Sequence, residues 1–275
     1  MARDLEGKVA IITGSAGGLG KALAQEMGAR GCYLVLADIN TDLLEEATAE
    51  LRGAGVQLDA KTTDVRDPAQ VQALVEGAYR DLGRVDYLFN NAGINLCAEL
   101  RDTTLDDWND LIDVNLRGVI HGVQAAYPIM REQGFGHIVN TASVAGLVPV
   151  AAEGAYTATK HAVVGLSSAL RIEAEAFGVR VSVVCPGLIE TPILESGKYV
   201  KFDRDAILKV APKKPMNPNK AARLVLRGVD RNELLIVMSA TAHLLWHFYR
   251  LAPRISVRLG RFTIAKFRGV RHEDD

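Results

Sequence analysis

Short β-type apolar runs alternate with longer helical patterns along most of this chain, and that alternation restricts the fold more than any other feature. KVAIIT (8–13), CYLVLA (32–37), VDYLFN (85–90), HIVNTA (137–142) and VRVSVVC (179–185) are nearly continuous in apolar residues. Strands of that kind are buried on both faces, as in a parallel sheet covered by helices on each side. Helical patterns fill the gaps. One runs from Leu19 to Arg30, and another from a Thr41 cap to about Arg52, with Leu43, Leu44, Ala47 and Leu51 on one side. Asp67-Pro68 starts a third as N-cap and first helical residue, and Gly83 closes it. Two longer patterns occupy about 105–133 and 154–177, and RNELLIVMSA (231–240) reads as a last strand. The expected fold is α/β: a Rossmann-like, doubly wound parallel sheet in three layers. A single domain spans residues 1–237, and a helical C-terminal extension spans 238–275.

Composition narrows the functional classes. A formal net charge of −1 gives no overall attraction to nucleic acid, and none is expected as a partner. Cys32, Cys97 and Cys185 are scattered without C-x-x-C spacing, which argues against a disulfide framework or a metal site and for a reducing compartment. The opening MARDLEGKVAIITG carries Asp4 and Glu6 and lacks the regions of a secretory signal, so a cytoplasmic location is expected.

The first strand-to-helix turn, TGSAGGLG (13–20), has glycines at 14, 18 and 20, with Ser15 and Leu19 among them. Glycines let the backbone approach a ligand, and the helix N-terminus offers unpaired N–H groups to a pyrophosphate. Asp38 ends the second strand, followed by Ile39. A carboxylate there accepts from an adenosine ribose and repels a 2′-phosphate, so the cofactor expected is NAD. In GAYTATK (154–160), Tyr156 and Lys160 stand four positions apart, on one face of a helix.

Together with Asp64 in TTDV, NNAG (90–93), Asn115 in DVNLRG, Ser143 in NTASVAG and PGLIET (186–191), these ordered motifs resemble the short-chain dehydrogenase/reductase family, in its compact single-domain branch. The resemblance covers residues 5 to about 237. It implies an enzyme that interconverts an alcohol and a ketone. Tyr156 is then the acid/base. Lys160 lowers its pKa and holds the nicotinamide ribose. Ser143 polarises the substrate oxygen, and Asn115 anchors a proton relay. It further implies cofactor contacts at Asp64, Val65, Asn91, Ala92, Gly93, Pro186, Gly187, Ile189 and Thr191.

The segments 144–152 and 193–202 match the family's site wall and lid. They offer Leu147, Val150, Ile193 and Leu194 to a substrate, with Val148, Tyr199 and Phe202 nearby. A bulky apolar alcohol or ketone, steroid- or lipid-like, is expected; a smaller carbonyl or 3-oxoacyl compound is the alternative. A non-catalytic NAD(H)-binding protein is the contrasting class, disfavoured because a binder does not need the proton-transfer residues. The C-terminal extension departs from the family pattern. From His243 to His272 it has no acidic residue, and Trp246, Phe248, Tyr249, Phe262 and Phe267 are interleaved with seven cations. It is expected either to pack on its own subunit or a partner copy, or to touch a membrane surface peripherally. A homodimer or homotetramer is expected.

Overall fold

The computed structural model describes residues 4–210 and 215–272. The strands in chain order are β1 (Val9–Thr13), β2 (Tyr33–Asp38), β3 (Leu58–Thr62), β4 (Tyr87–Asn90), β5 (Leu96–Cys97), β6 (Gly136–Thr141), β7 (Val179–Cys185), β8 (Lys198–Tyr199) and β9 (Leu235–Val237). Seven of them form one parallel sheet in the order β3-β2-β1-β4-β6-β7-β9, and β5 pairs with β8. The helices are α1 (Gly18–Gly28), α2 (Thr41–Gly53), α3 (Pro68–Leu82), α4 (Leu105–Ile112), α5 (Gly118–Gln133), α6 (Gly154–Ala174), α7 (Ile193–Ser196), α8 (Arg204–Val210), α9 (Pro218–Asp230), α10 (Ala240–Leu251) and α11 (Pro253–Arg268).

Alternation along each strand divides the core in two. Ala10, Ile12, Leu34 and Leu36 face a layer containing Leu19, Leu23 and Met27 of α1 and Val225, Leu226 and Val229 of α9. Val9, Ile11, Val35 and Ala37 face the opposite layer, with Leu74 and Val75 of α3, Val123 and Met130 of α5, and Val163 and Leu170 of α6. Both strand faces are therefore buried, which is why these runs contain almost no polar residue. Each Val, Leu or Ile buried this way contributes about 1.5–3 kcal/mol.

Local signals explain several boundaries. Asp67 caps α3 through the Ala69 and Gln70 N–H groups, Pro68 opens the helix, and Gly83 ends it at φ 73°. α2 differs from the sequence expectation. Its N-cap is Asn40, whose side chain accepts from the Leu43 N–H, and Thr41 is already helical. Leu43 is exposed, so the apolar side of α2 consists of Leu44, Ala47 and Leu51.

The pattern at 105–133 is not one helix. A capping box of Thr104 and Asp107 starts α4, a π-helical turn spans Asp113–Arg117, and α5 follows. β3 is an edge strand that periodicity does not reveal: only Leu58 is buried, and Asp59 to Thr62 are exposed.

Candidate active site

The C-terminal edge of the sheet gathers the four proton-transfer candidates from three segments. Ser143 lies just past β6 and caps a short turn through the Ala145 N–H, at 3.1 Å. Tyr156 and Lys160 are in the first two turns of α6. Lys160 is buried, donates to the Thr141 carbonyl at 3.1 Å, and holds its ammonium 5.5 Å from the Tyr156 ring centre. Asn115 sits in the π-helical turn, a departure from regular helix that recurs at functional sites. Its amide grips the backbone of Ile94 on both sides, donating to the carbonyl and accepting from the N–H, each at 2.9 Å. Gly93 keeps the space between Asn115 and Lys160 open. A Cβ there would stand 3.0 Å from Asn115 Oδ1 and 3.5 Å from Lys160 Nζ.

Burial dominates the electrostatics. The Tyr156 phenol is pushed well above its ordinary value, first by desolvation and then by the charge of Glu153, against a hydrogen bond to Ser143 that lowers it. Desolvation pulls the Lys160 ammonium down to about 8. Both groups lose hydration together, and burial sets the net direction of each. Glu153, absent from the sequence reading, precedes Tyr156 by one helical turn. Burial raises its carboxyl to about 7, against a hydrogen bond with Asn95 that lowers it. The only available sign in the sequence is a carboxylate directly ahead of the tyrosine helix, which reads as an ordinary solvated cap.

The glycine turn fits a dinucleotide phosphate. Gly14 and Gly18 adopt φ values of +64° and +54°, where side chains are disfavoured. A Cβ at Gly20 would overlap the Gly14 carbonyl oxygen. Gly17 provides no side-chain cap to α1, which leaves the N–H groups of Gly18, Leu19 and Gly20 for an anion. Asp38 accepts from the Ala16 and Asn40 N–H groups, both at 3.0 Å. A carboxylate so held keeps lone pairs for two ribose hydroxyls.

Three of the expected contact residues also hold internal partners. Ser15 is wholly buried and turns its hydroxyl to the Ala37 carbonyl, so its side chain faces the core rather than a ligand. The Asn91 amide donates to the Thr13 and Gly14 carbonyls at 3.1 Å each and braces the turn from below. Asp64 is engaged by Arg66, with contacts of 2.6–3.0 Å that hold its carboxyl below the usual range. Leu19, Val65 and Ile189 are buried in the core, so only their backbones can meet a cofactor, while Ile39 is exposed beside Asp38. Ala92 accompanies Asn91, its N–H donating to Thr13 Oγ1 at 3.2 Å. The Pro186 carbonyl accepts from Val144, Gly187 is exposed, and Thr191 and Pro192 arch over Gly17 and Gly18.

Comparison with known proteins agrees with this geometry. The short chain dehydrogenase family profile matches residues 8–198. The chain is a short-chain dehydrogenase. An uncharacterised oxidoreductase of Staphylococcus saprophyticus is 37% identical over 84% of this chain and 93% of its own. The levodione reductase of Leifsonia aquatica is 37% identical over 78% and 77%. A short-chain dehydrogenase from Burkholderia phymatum, solved in complex with NAD, superposes with a TM-score of 0.82 at 33% identity, covering 90% of this chain and 96% of that one. The protein is accordingly an oxidoreductase.

Two small apolar clusters lie near Tyr156 and the segments 144–152 and 193–202. One comprises Leu96, Ala98, Leu111 and Ala155, with Trp108, Tyr156 and Val200 against it. The other joins Cys97, Ala152, Phe202 and Ile207 to Phe267 of α11, with Tyr199 and Ile264 alongside. Val150 and Ile193 are half-buried. Leu147 is buried in the main core with α5 and α6, which removes it from the wall. The side chain of Leu194 lies outside the described residues.

Sequence reasoning missed how far the C-terminal extension enters this region. Arg268 donates to Glu99 at 2.6 Å, and Arg271 bridges Glu99 and Asp102 at 2.8 Å each. These cations hold the Glu99 carboxyl down at about 2. The three thiols are buried and raised to about 12 by desolvation.

Proposed function

We propose that this dehydrogenase uses NAD to interconvert a secondary alcohol and its ketone, on a bulky and largely apolar substrate. The observation carrying the reading is the convergence of Ser143, Tyr156, Lys160 and Asn115 at the sheet edge, beside the glycine turn and Asp38 at the end of β2. The Burkholderia relative's complex supports the choice of cofactor, and the levodione reductase supports ketone chemistry. Asp38 supports NAD over a 2′-phosphorylated cofactor, because its carboxylate would face the added phosphate charge. Gly14, Gly18 and Gly20 would admit the pyrophosphate, Asp38 would hold the adenosine ribose, and Lys160 the nicotinamide ribose. The clusters around Phe202 and Ala155 support an apolar substrate body.

The bound nicotinamide would supply the hydride chemistry at the carbinol or carbonyl carbon. Tyr156 Oη takes the proton from the alcohol oxygen during oxidation and returns it during reduction. Ser143 Oγ hydrogen-bonds the same oxygen and stabilises its developing charge. Lys160 places a cation beside the phenol as it ionises. Asn115 fixes the backbone at Ile94 and anchors the route by which the proton leaves.

The test is a screen of NAD⁺ reduction over steroid, lipid and short-chain alcohols. Turnover should rise with apolar bulk, and activity at least about tenfold better with NADP⁺ would overturn the cofactor assignment. Tyr156→Phe should abolish turnover while NADH binding persists. General acid/base catalysis contributes ~10²–10⁴-fold, so residual activity above about a tenth would refute the role of Tyr156.

A further inference from the structure

The α10–α11 pair leaves two apolar stripes uncovered. Leu244, Phe248 and Leu251 stand at i, i+4 and i+7 on α10; Ile255, Leu259 and Phe262 repeat that spacing on α11. Leu244 is 69% exposed, Leu251 86% and Phe262 70%, and Ile255 and Leu259 are each about half exposed. Such concentration of large apolar side chains on two adjacent helices is unlike the scattered exposed residues of an ordinary surface.

Charge selects what covers them. Arg254, Arg258 and Arg261 form a second stripe on α11, each one position before Ile255, Leu259 and Phe262; Arg250 adds a cation at the end of α10, and Lys266 follows the apolar stripe one turn after Phe262. No acidic residue lies between Glu233 and His272. The counter-charges that do meet this helix, Glu99 and Asp102, engage only its far end through Arg268 and Arg271. We propose that α10 and α11 lie in the interface of an anionic lipid membrane, with Leu251, Ile255, Leu259 and Phe262 inserted and Arg254, Arg258 and Arg261 at the phosphate level. A second copy fits poorly: an isologous contact through this face brings the same arginine row against itself. Among the described residues no helix is long and apolar enough to cross a membrane, and α11 pairs an apolar stripe with an arginine-rich one, as an interfacial helix does.

The geometry links this surface to the site. The membrane-facing helix continues into Phe267, which completes the apolar cluster with Phe202 and Ile207, so the lipid phase would adjoin the substrate wall. The docking itself does not depend on the substrate reading, because its test requires no turnover.

The experiment is flotation of the full-length protein with phosphatidylcholine vesicles, with and without phosphatidylglycerol, over a salt series. Bound protein should increase at least about tenfold when the anionic lipid is present, since every basic residue near an anionic leaflet strengthens binding several-fold. It should fall as salt shortens the screening length. Leu259→Asp with Phe262→Asp, and separately Arg254→Gln with Arg258→Gln and Arg261→Gln, should each abolish flotation while NADH binding stays unchanged. Equal binding to neutral and anionic vesicles, or none to either, overturns the proposal. So does a wild-type protein that stays off vesicles but loses solution mass when Leu259 and Phe262 become aspartate, because a second copy then covers the face.

Discussion

Glu153→Gln should move the ascending, low-pH limb of alcohol oxidation to lower pH. Residue 153 caps the helix that carries Tyr156 three positions later, which places their Cβ atoms about 5–6 Å apart. A charge separation on the order of 7 Å sets the scale of the effect. With an effective dielectric constant of about 20, a carboxylate raises the cost of phenolate by about 2 kcal/mol, or about 1.5 pH units. The Glu153 carboxyl titrates near 7, so this opposition is present above that pH, where oxidation needs the phenolate. Glutamine keeps the shape and the hydrogen bond to Asn95 but removes the charge. Profiles of kcat/KM for oxidation against pH, measured for both proteins, should show the limb shifted down by about 1–1.5 units, with NADH affinity unchanged.

Stability gives an independent sign. The folded-state pKa of Glu153 is raised from 4.5 to about 7, so the folded protein retains a proton that the unfolded chain has released. The stability associated with that proton is complete below pH ~4.5 and is lost as pH rises through about 7. Urea unfolding should therefore show Glu153→Gln gaining on the wild type between pH 5 and 8, by up to about 3 kcal/mol. An unmoved or upward-shifted limb, together with a pH-independent stability difference, would refute the placement of this charge beside the phenol.

Gly20→Ala should leave a folded protein that binds NADH at least about a hundredfold more weakly, because the new methyl overlaps the Gly14 carbonyl and must displace the turn; dye-free fluorescence titration of NADH measures it. Glu99→Gln removes the charge shared by Arg268 and Arg271 and should loosen the end of α11, at a cost of about 1.5–3 kcal/mol, seen as faster amide exchange at residues 264–271. In the wild type the same contact is fully present above pH ~4.5 and weakens as pH falls towards about 2, since the folded-state pKa of Glu99 is depressed. Cys32, Cys97 and Cys185 should resist iodoacetamide at pH 7.5 until the protein unfolds, as thiol-labelling mass spectrometry would report.

The layers of the fold were legible because buried parallel strands leave a compositional mark, and the start of α3 was legible because Asp67 and Pro68 act locally. β3 left no such mark: four of its five residues face solvent, and its partner supplies the pairing. The π-helical turn at Asn115 was hidden for another reason. One extra residue in a hydrogen-bond ladder barely changes the apolar period, so 105–133 reads as a continuous helix. The positions of Ser143, Tyr156 and Lys160 followed from motif order, but side-chain commitments did not. Ser15 and Asn91 serve backbone carbonyls brought close only by the folded sheet, and Leu147 turns into the core. Glu99 meets Arg268 across 169 positions, a distance over which no local pattern operates.

That last contact also sets the order in which the site can be finished during synthesis. The sheet strands from β1 to β7, and all four proton-transfer candidates, are translated before residue 186, and their packing can begin as they emerge. The apolar cluster around Phe202 cannot be completed then, because Phe267 and the two arginines that clamp Glu99 come more than eighty residues later. A nascent chain therefore gathers Asn115, Ser143, Tyr156 and Lys160 before Phe267 can join Phe202 and Ile207, and the ion pairs at Glu99 are among the last long-range contacts it can form.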